Sequence, residues 1–210
     1  SAYEGFLELE INNMADDRLY YRLGSMNING IGTETNFLKA RDYFEKAAQL
    51  DNTDAMYGLG LLYLKDWEKK DISKAIWYLT EAANKGNDFA QYMLGKIFYQ
   101  GKSVQINMEY AIYWLEKAQQ NGNIQAKYML GKMLLYGEYM QQDIARGKLL
   151  LNQASDKGNA HASYILGKEL LQGNILPQNI ERAIELLNIS SKKGFESAQY
   201  LLGKTYYQGI

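Results

Sequence analysis

Few residues of this chain combine the types and spacing that chemistry requires, and most of those recur at a fixed interval. His161 is the single histidine and cysteine is absent. A Ser-His-Asp relay, a Cys-His pair, and a thiolate or multi-histidine metal site therefore lack their parts. His161 itself reads as a repeat-surface residue at the start of a helix. Carboxylates stand close together at Glu8 and Glu10, Asp16 and Asp17, and Glu181 and Glu185, a pattern that solvated helix faces explain. Asn107, Asp143 and Asn179 offer ligand-type oxygens, but their 36-residue spacing marks them as structural. No catalytic, cofactor-binding or metal-binding residue is assigned on these grounds. One constellation does suggest binding. Tyr21, Tyr57, Tyr92, Tyr128, Tyr164 and Tyr200 each lie two residues before a recurring leucine. Lys96, Lys132, Lys168 and Lys204 follow the last four by four residues, and Tyr99, Leu135, Leu171 and Tyr207 follow them by seven. At about 100° per residue these places cover roughly 60° of one helix surface. Rings beside ammonium groups suit a protein or peptide segment that carries carboxylates. The candidate partner-binding residues are thus Tyr92, Lys96, Tyr99, Tyr128, Lys132, Tyr164, Lys168, Tyr200 and Lys204. The competing reading makes the tyrosines inter-helix packing and the lysines solubilising charge.

Whatever positions this ladder must repeat as it does. Leu-Gly pairs stand at Leu23-Gly24, Leu59-Gly60, Leu94-Gly95, Leu130-Gly131, Leu166-Gly167 and Leu202-Gly203, spaced 36, 35, 36, 36 and 36. An alanine precedes each of the last five leucines by four residues, and Leu19 fills that place in the first unit. In residues 89–100, Ala90, Leu94 and Ile97 fall on one α-helical face and Gly101 ends the period, which predicts a helix A. Asn36, Asp71, Asn107, Asp143 and Asn179 each precede a large apolar residue, the signature of an N-cap opening a helix B. The one 35-residue unit loses its residue between Gly60 and Asp71, in the A-to-B loop, and the single proline, Pro177, lies in such a loop. Mid-helix glycine costs about 1 kcal/mol against alanine, so the Leu-Gly glycines imply close helix approach. By this reading Gly131→Leu overpacks the seam, whereas Gly131→Ala costs little or even helps.

The organisation expected is an N-terminal half-repeat over 1–16, repeats at 17–52, 53–87, 88–123, 124–159 and 160–195, and a partial sixth at 196–210, in one continuous domain. Opening on Ser1-Ala2 without Met and stopping just after Gly209 in mid-repeat fits a segment of a longer protein. A hydrophobic share of 47% can supply a core, and a formal net charge of −1 gives no basic field for nucleic acid. No apolar run approaches the roughly 18 residues of a membrane span.

The order A-x-x-x-L-G, an aromatic, G, A-x-x-W/Y and A-A closing on G resembles the Sel1-like repeat, a relative of the tetratricopeptide repeat. Residues 90–122 carry it most fully, with Leu94-Gly95, Phe98, Gly101, Val104, Ala111, Trp114, Ala118 and Gly122 in register. Departures occur at Leu19 and Leu50, at Gly147 and Leu150, and at Leu186 and Ser190-Ser191. The resemblance implies an all-α fold, an α-α superhelix (solenoid) of helix pairs of about 36 residues. It implies a non-catalytic scaffold or adaptor that needs no cofactor and takes a partner protein or peptide in the concave groove lined by helix A. Its second implication, behind the scaffold, is an accessory targeting or regulatory region of a larger bacterial enzyme such as a mobilisation relaxase.

Overall fold

The structure is a computed structural model that describes residues 1–65 and 70–209; the stretch between Gly60 and Asp71 where the sequence places the missing residue of the short repeat includes 66–69, which lie outside the described residues. Among the described residues there are twelve helices and no strand: α1 (Ala2–Ile11), α2 (Asp17–Asn29), α3 (Phe37–Gln49), α4 (Thr53–Leu64), α5 (Ile72–Asn84), α6 (Asp88–Gln100), α7 (Met108–Gln120), α8 (Ile124–Tyr136), α9 (Ile144–Asp156), α10 (Ala160–Gln172), α11 (Ile180–Lys192) and α12 (Glu196–Tyr207). The even-numbered helices are the A helices of the sequence pattern, and the odd-numbered helices from α3 onward are its B helices. The chain forms two compact units, residues 1–106 and 107–210.

Side-chain caps start the helices at the expected places. Asn36, Asp71, Asn107, Asp143 and Asn179 each accept a hydrogen bond from the backbone N–H three residues on, opening α3, α5, α7, α9 and α11. The A helices have caps of their own, in Asp16, Asn52, Asn87, Asn123 and Asn159. Three of the asparagines use both ends of the amide. Asn52 Oδ1 caps α4 while its Nδ2 donates to Asp17 at 2.8 Å. Asn87 likewise reaches Asp54 at 2.9 Å, and Asn159 reaches Gln125 at 3.1 Å. Each such bond ties one A helix to the first turn of the A helix before it.

Left-handed residues end the helices. Gly30, Gly101, Gly137 and Gly173 stop A helices at φ between 62° and 71°, and Gly86, Gly122, Gly158 and Gly194 also have positive φ between B and A. In the first repeat this last place belongs to Asp51, at φ 66°, and not to Leu50. Aspartate is among the few side-chain-bearing residues that tolerate this region.

Packing explains the mid-helix glycines Gly24, Gly60, Gly131 and Gly167, though not Gly203, and corrects one expectation. A Cβ on Gly60 would lie 2.6 Å from Leu79 Cγ, and one on Gly131 would lie 2.9 Å from Leu151 Cγ and 3.1 Å from the Gly147 carbonyl oxygen. An alanine at Gly131 is therefore too tight to be harmless. Gly147, where other repeats carry alanine, is tighter still: its Cβ would sit 2.7 Å from Leu135 N and 2.9 Å from the Gly131 carbonyl. Backbone meets backbone at this crossing, which explains a departure that looked like decay of the repeat. Ser190 is similarly accounted for, because its buried hydroxyl donates to the Ala160 carbonyl at 2.8 Å.

Each unit has its own core. Phe44, Ala47, Ala55, Leu59 and Leu62 form one cluster in the first unit. In the second, Leu135, Leu151, Ala162, Leu166, Leu176 and Leu186 are buried together, and Leu187, Ala198 and Leu202 close the packing toward α12.

Candidate functional site

The helix-A ladder acquires a shape in the second unit. Tyr128 and Lys132 of α8 and Tyr164 and Lys168 of α10 line one cavity of about 400 Å³, together with Tyr136, Glu138, His161, Ile165 and Phe195. A second cavity of about 380 Å³ is also lined by Tyr164 and Lys168 and reaches Tyr200 and Leu201 on α12. Five ladder residues thus border two cavities that share a wall. Lys204 borders neither and is exposed. In the first unit, Tyr92, Lys96 and Tyr99 lie half-buried on α6, with Lys96 Nζ 6.0 Å from the Tyr92 ring centroid.

The rings serve both readings of the ladder. Tyr128 and Tyr164 pack against the core cluster of the second unit and also wall the cavity. Around the cavity His161 lies 5.5 Å from Tyr128 and 4.7 Å from Phe195, and Tyr164 lies 5.0 Å from Phe195. These separations and tilts are those of attractive aromatic contacts. His161, expected to be an ordinary surface residue, is exposed yet belongs to this ring cluster.

The ammonium groups are already engaged. Lys132 pairs with Glu138 at 3.2 Å and Lys168 lies 3.7 Å from Glu169. Glu169 is 2% exposed and accepts a hydrogen bond from the Tyr136 hydroxyl at 2.7 Å. Burial, and then the hydrogen bond to Glu169, push the Tyr136 phenol above its ordinary range. The cavity rim is consequently balanced in charge, not cationic as the lysine spacing alone suggests.

Two residues here depart from the repeat. Leu62, Ile97 and Met133 occupy the place of Glu169 in earlier A helices, so a buried carboxylate replaces an apolar side chain. Phe195 stands where Asn52, Asn87, Asn123 and Asn159 cap their helices, and α12 begins with no side-chain cap. Losing such a cap costs typically about 1 kcal/mol, and the ring that replaces it closes the cavity. Sequence reading passed over Phe195 and Glu169 because it followed what recurs. In the helix-A cap register, which runs Asp16, Asn52, Asn87, Asn123 and Asn159, Phe195 is the position without a capping side chain.

Other chemistry is not assembled. Gly-Lys-Ser at 101–103 and Gly-Lys-Thr at 203–205 share three residues with a phosphate loop. However, Gly101 ends α6 and Gly203 lies within α12, so neither triplet faces the start of a helix. Among the described residues no three His, Asp or Glu side chains gather as a metal site, and no helix is long and apolar enough to cross a membrane.

Paired helices repeating every 35 or 36 residues, with a ring-lined groove across successive A helices, define an α-helical repeat array of the solenoid class. The chain belongs to the Sel1 repeat family, whose pattern matches residues 18–52, 53–87, 88–123, 124–159, 160–195 and 196–210. Sel1 repeat proteins generally mediate protein–protein interaction, and their scaffold is typically non-catalytic. Among solved structures, a Sel1 repeat protein from Oxalobacter formigenes is 26% identical with a TM-score of 0.85, over 92% of this chain and 80% of that one. A protective antigen of uropathogenic Escherichia coli displaying an SLR fold is 23% identical with a TM-score of 0.59, over 98% of this chain and 51% of that one. Among curated proteins, the ERAD-associated E3 ubiquitin-protein ligase component HRD3B of Arabidopsis thaliana is 44% identical over 55 residues, which are 25% of this chain and 9% of that protein.

Proposed function

We propose that the chain is a protein-binding scaffold whose docking face is the helix-A groove of residues 107–210, with the cavity closed by Phe195 as its anchor point. The observation that carries this reading is the surrender of a helix cap at Phe195 in favour of a ring that contacts His161 and Tyr164. Stability alone favours asparagine there, as in the four preceding A helices.

Magnitudes indicate what the groove selects. A partner aromatic side chain buries roughly 150–250 Å². At about 25 cal/mol per Å² that brings about 4–6 kcal/mol before ordering costs. A partner carboxylate must instead draw Lys132 away from Glu138, and this pair is about one-third exposed on each side, so the exchange contributes about 1 kcal/mol or less. Ring burial therefore supplies affinity, while Lys132 and Lys168 orient an acidic segment beside it.

Phe195→Asn tests the reading, since it restores the cap and removes the ring. Stability is expected to stay within about 1 kcal/mol of the parent. A partner recovered by affinity capture with the parent chain should bind the variant at least about tenfold more weakly, or 1.4 kcal/mol. Undiminished binding by a folded variant rules out the cavity as the anchor. A second reading is an accessory region within a larger protein, as the matched segment is in the plant relative, where it makes up 9% of the length.

A further inference from the structure

A separate cavity of about 500 Å³ opens in the first unit on the B-helix side, lined by Glu45 and Ala48 of α3, Met56 of α4, Trp77 and Glu81 of α5, and the neighbouring Lys85. The Trp77 indole is 57% exposed, although indoles are ordinarily well covered in folded proteins. It is also braced. Tyr78 contacts it edge-on at 4.7 Å and in turn stacks on Tyr63 at 5.8 Å, with the two phenol planes 4° apart. An exposed indole on a fixed base is ready to accept a flat or cationic group.

Charge narrows the choice. Glu45, Asp51 and Glu81 line the cavity against the one ammonium of Lys85. Lys85 is held by Asp51 at 3.1 Å, and Glu45 accepts from the Tyr63 hydroxyl at 3.3 Å and lies 4.0 Å from Arg41. The Glu81 carboxylate has no ion pair or side-chain hydrogen bond among the described residues. Burial and then the Glu45 charge raise the Tyr78 phenol above its ordinary range, so the negative field reaches the cavity wall.

We infer that this cavity binds an arginine side chain from a basic segment of a partner protein, with the guanidinium on the Trp77 face and its N–H groups donating to Glu81. A guanidinium is planar, stacks on aromatic faces and donates bidentately to a carboxylate, whereas an ammonium is more strongly hydrated and lacks the fork. The site is independent of the helix-A groove and lies in the other unit.

The probe is N-acetyl-arginine amide, titrated into the nitrogen-15-labelled chain while the Trp77 indole N–H signal, assigned by its loss in Trp77→Phe, is followed. The expected result is a saturable shift with a dissociation constant in the millimolar range, tighter for arginine than for N-acetyl-lysine amide and absent with N-acetyl-glutamine amide. Glu81→Gln, at a half-exposed position where an unchanged circular-dichroism spectrum verifies the fold, should weaken binding at least about fivefold. Lys168→Glu, in the other unit, should leave it unchanged. An indole signal unmoved by arginine amide, moved equally by glutamine amide, or insensitive to Glu81→Gln overturns the assignment.

Discussion

At the scale of single residues, the helix-A asparagines show why one polar residue is not as good as another. Serine, threonine and aspartate also cap helices, but only the amide of asparagine can cap with its oxygen and still donate with its nitrogen. Asn52 does both, toward Ala55 N and Asp17. Asn52→Ser keeps the cap and deletes the link, so it should lower stability by about 0.5–1.5 kcal/mol. Asn52→Ala should lose about 1 kcal/mol more. Denaturant melts of the parent and the two variants separate these contributions, and a parent no more stable than Asn52→Ser would mean that the link to Asp17 contributes nothing.

At the scale of helices, the A–B crossings set the tolerance for added atoms. Alanine for glycine in a helix gains about 1 kcal/mol of propensity, while overpacking costs about 1–3 kcal/mol. Gly203, within α12, meets nothing within 4 Å of an added Cβ, so Gly203→Ala should raise stability by about 0.5–1 kcal/mol. Gly131→Ala should lower it by up to about 2 kcal/mol. Gly147→Ala should be worse still, although it restores the residue found in the other repeats, because its Cβ would meet backbone and not a movable side chain. Thermal unfolding of the three variants checks this order. The contrast marks what a lone sequence discloses. The helix pairs, the B-helix caps and the A-helix stops were legible because Asn107, Asp143 or Gly101 recur with period and type intact. The crossing distance at Gly147 was not, since a missing methyl looks the same whether selected by contact or lost by drift. Glu169 and Phe195 were hidden for a related reason. Their meaning lies in the neighbour across the groove, Tyr136 for one and His161 for the other, some 33 or 34 positions away, and register alone does not say which repeat faces which ring.

At the scale of the molecule, each compact unit has its own core and its own cavity, as expected of repeats whose stability is local and nearest-neighbour. Residues 107–210 produced alone should give a helical circular-dichroism spectrum and bind the captured partner within about threefold of the whole chain, a difference of less than 1 kcal/mol. A folded fragment that does not bind would move the docking face out of that unit. The pairing of Lys132 with Glu138 and of Lys168 with Glu169 also bears on time as well as affinity. With its cations neutralised internally and a formal chain charge of only −1, the groove projects no field to draw a ligand from a distance. Encounter should then run at the unsteered rate of about 10⁵–10⁶ M⁻¹s⁻¹ and change little between low and physiological salt. Discrimination among partners falls to how long each one stays, so the ring contacts of Phe195 would govern dissociation, and stopped-flow mixing at two ionic strengths would show the association phase holding steady while Phe195→Asn hastens release.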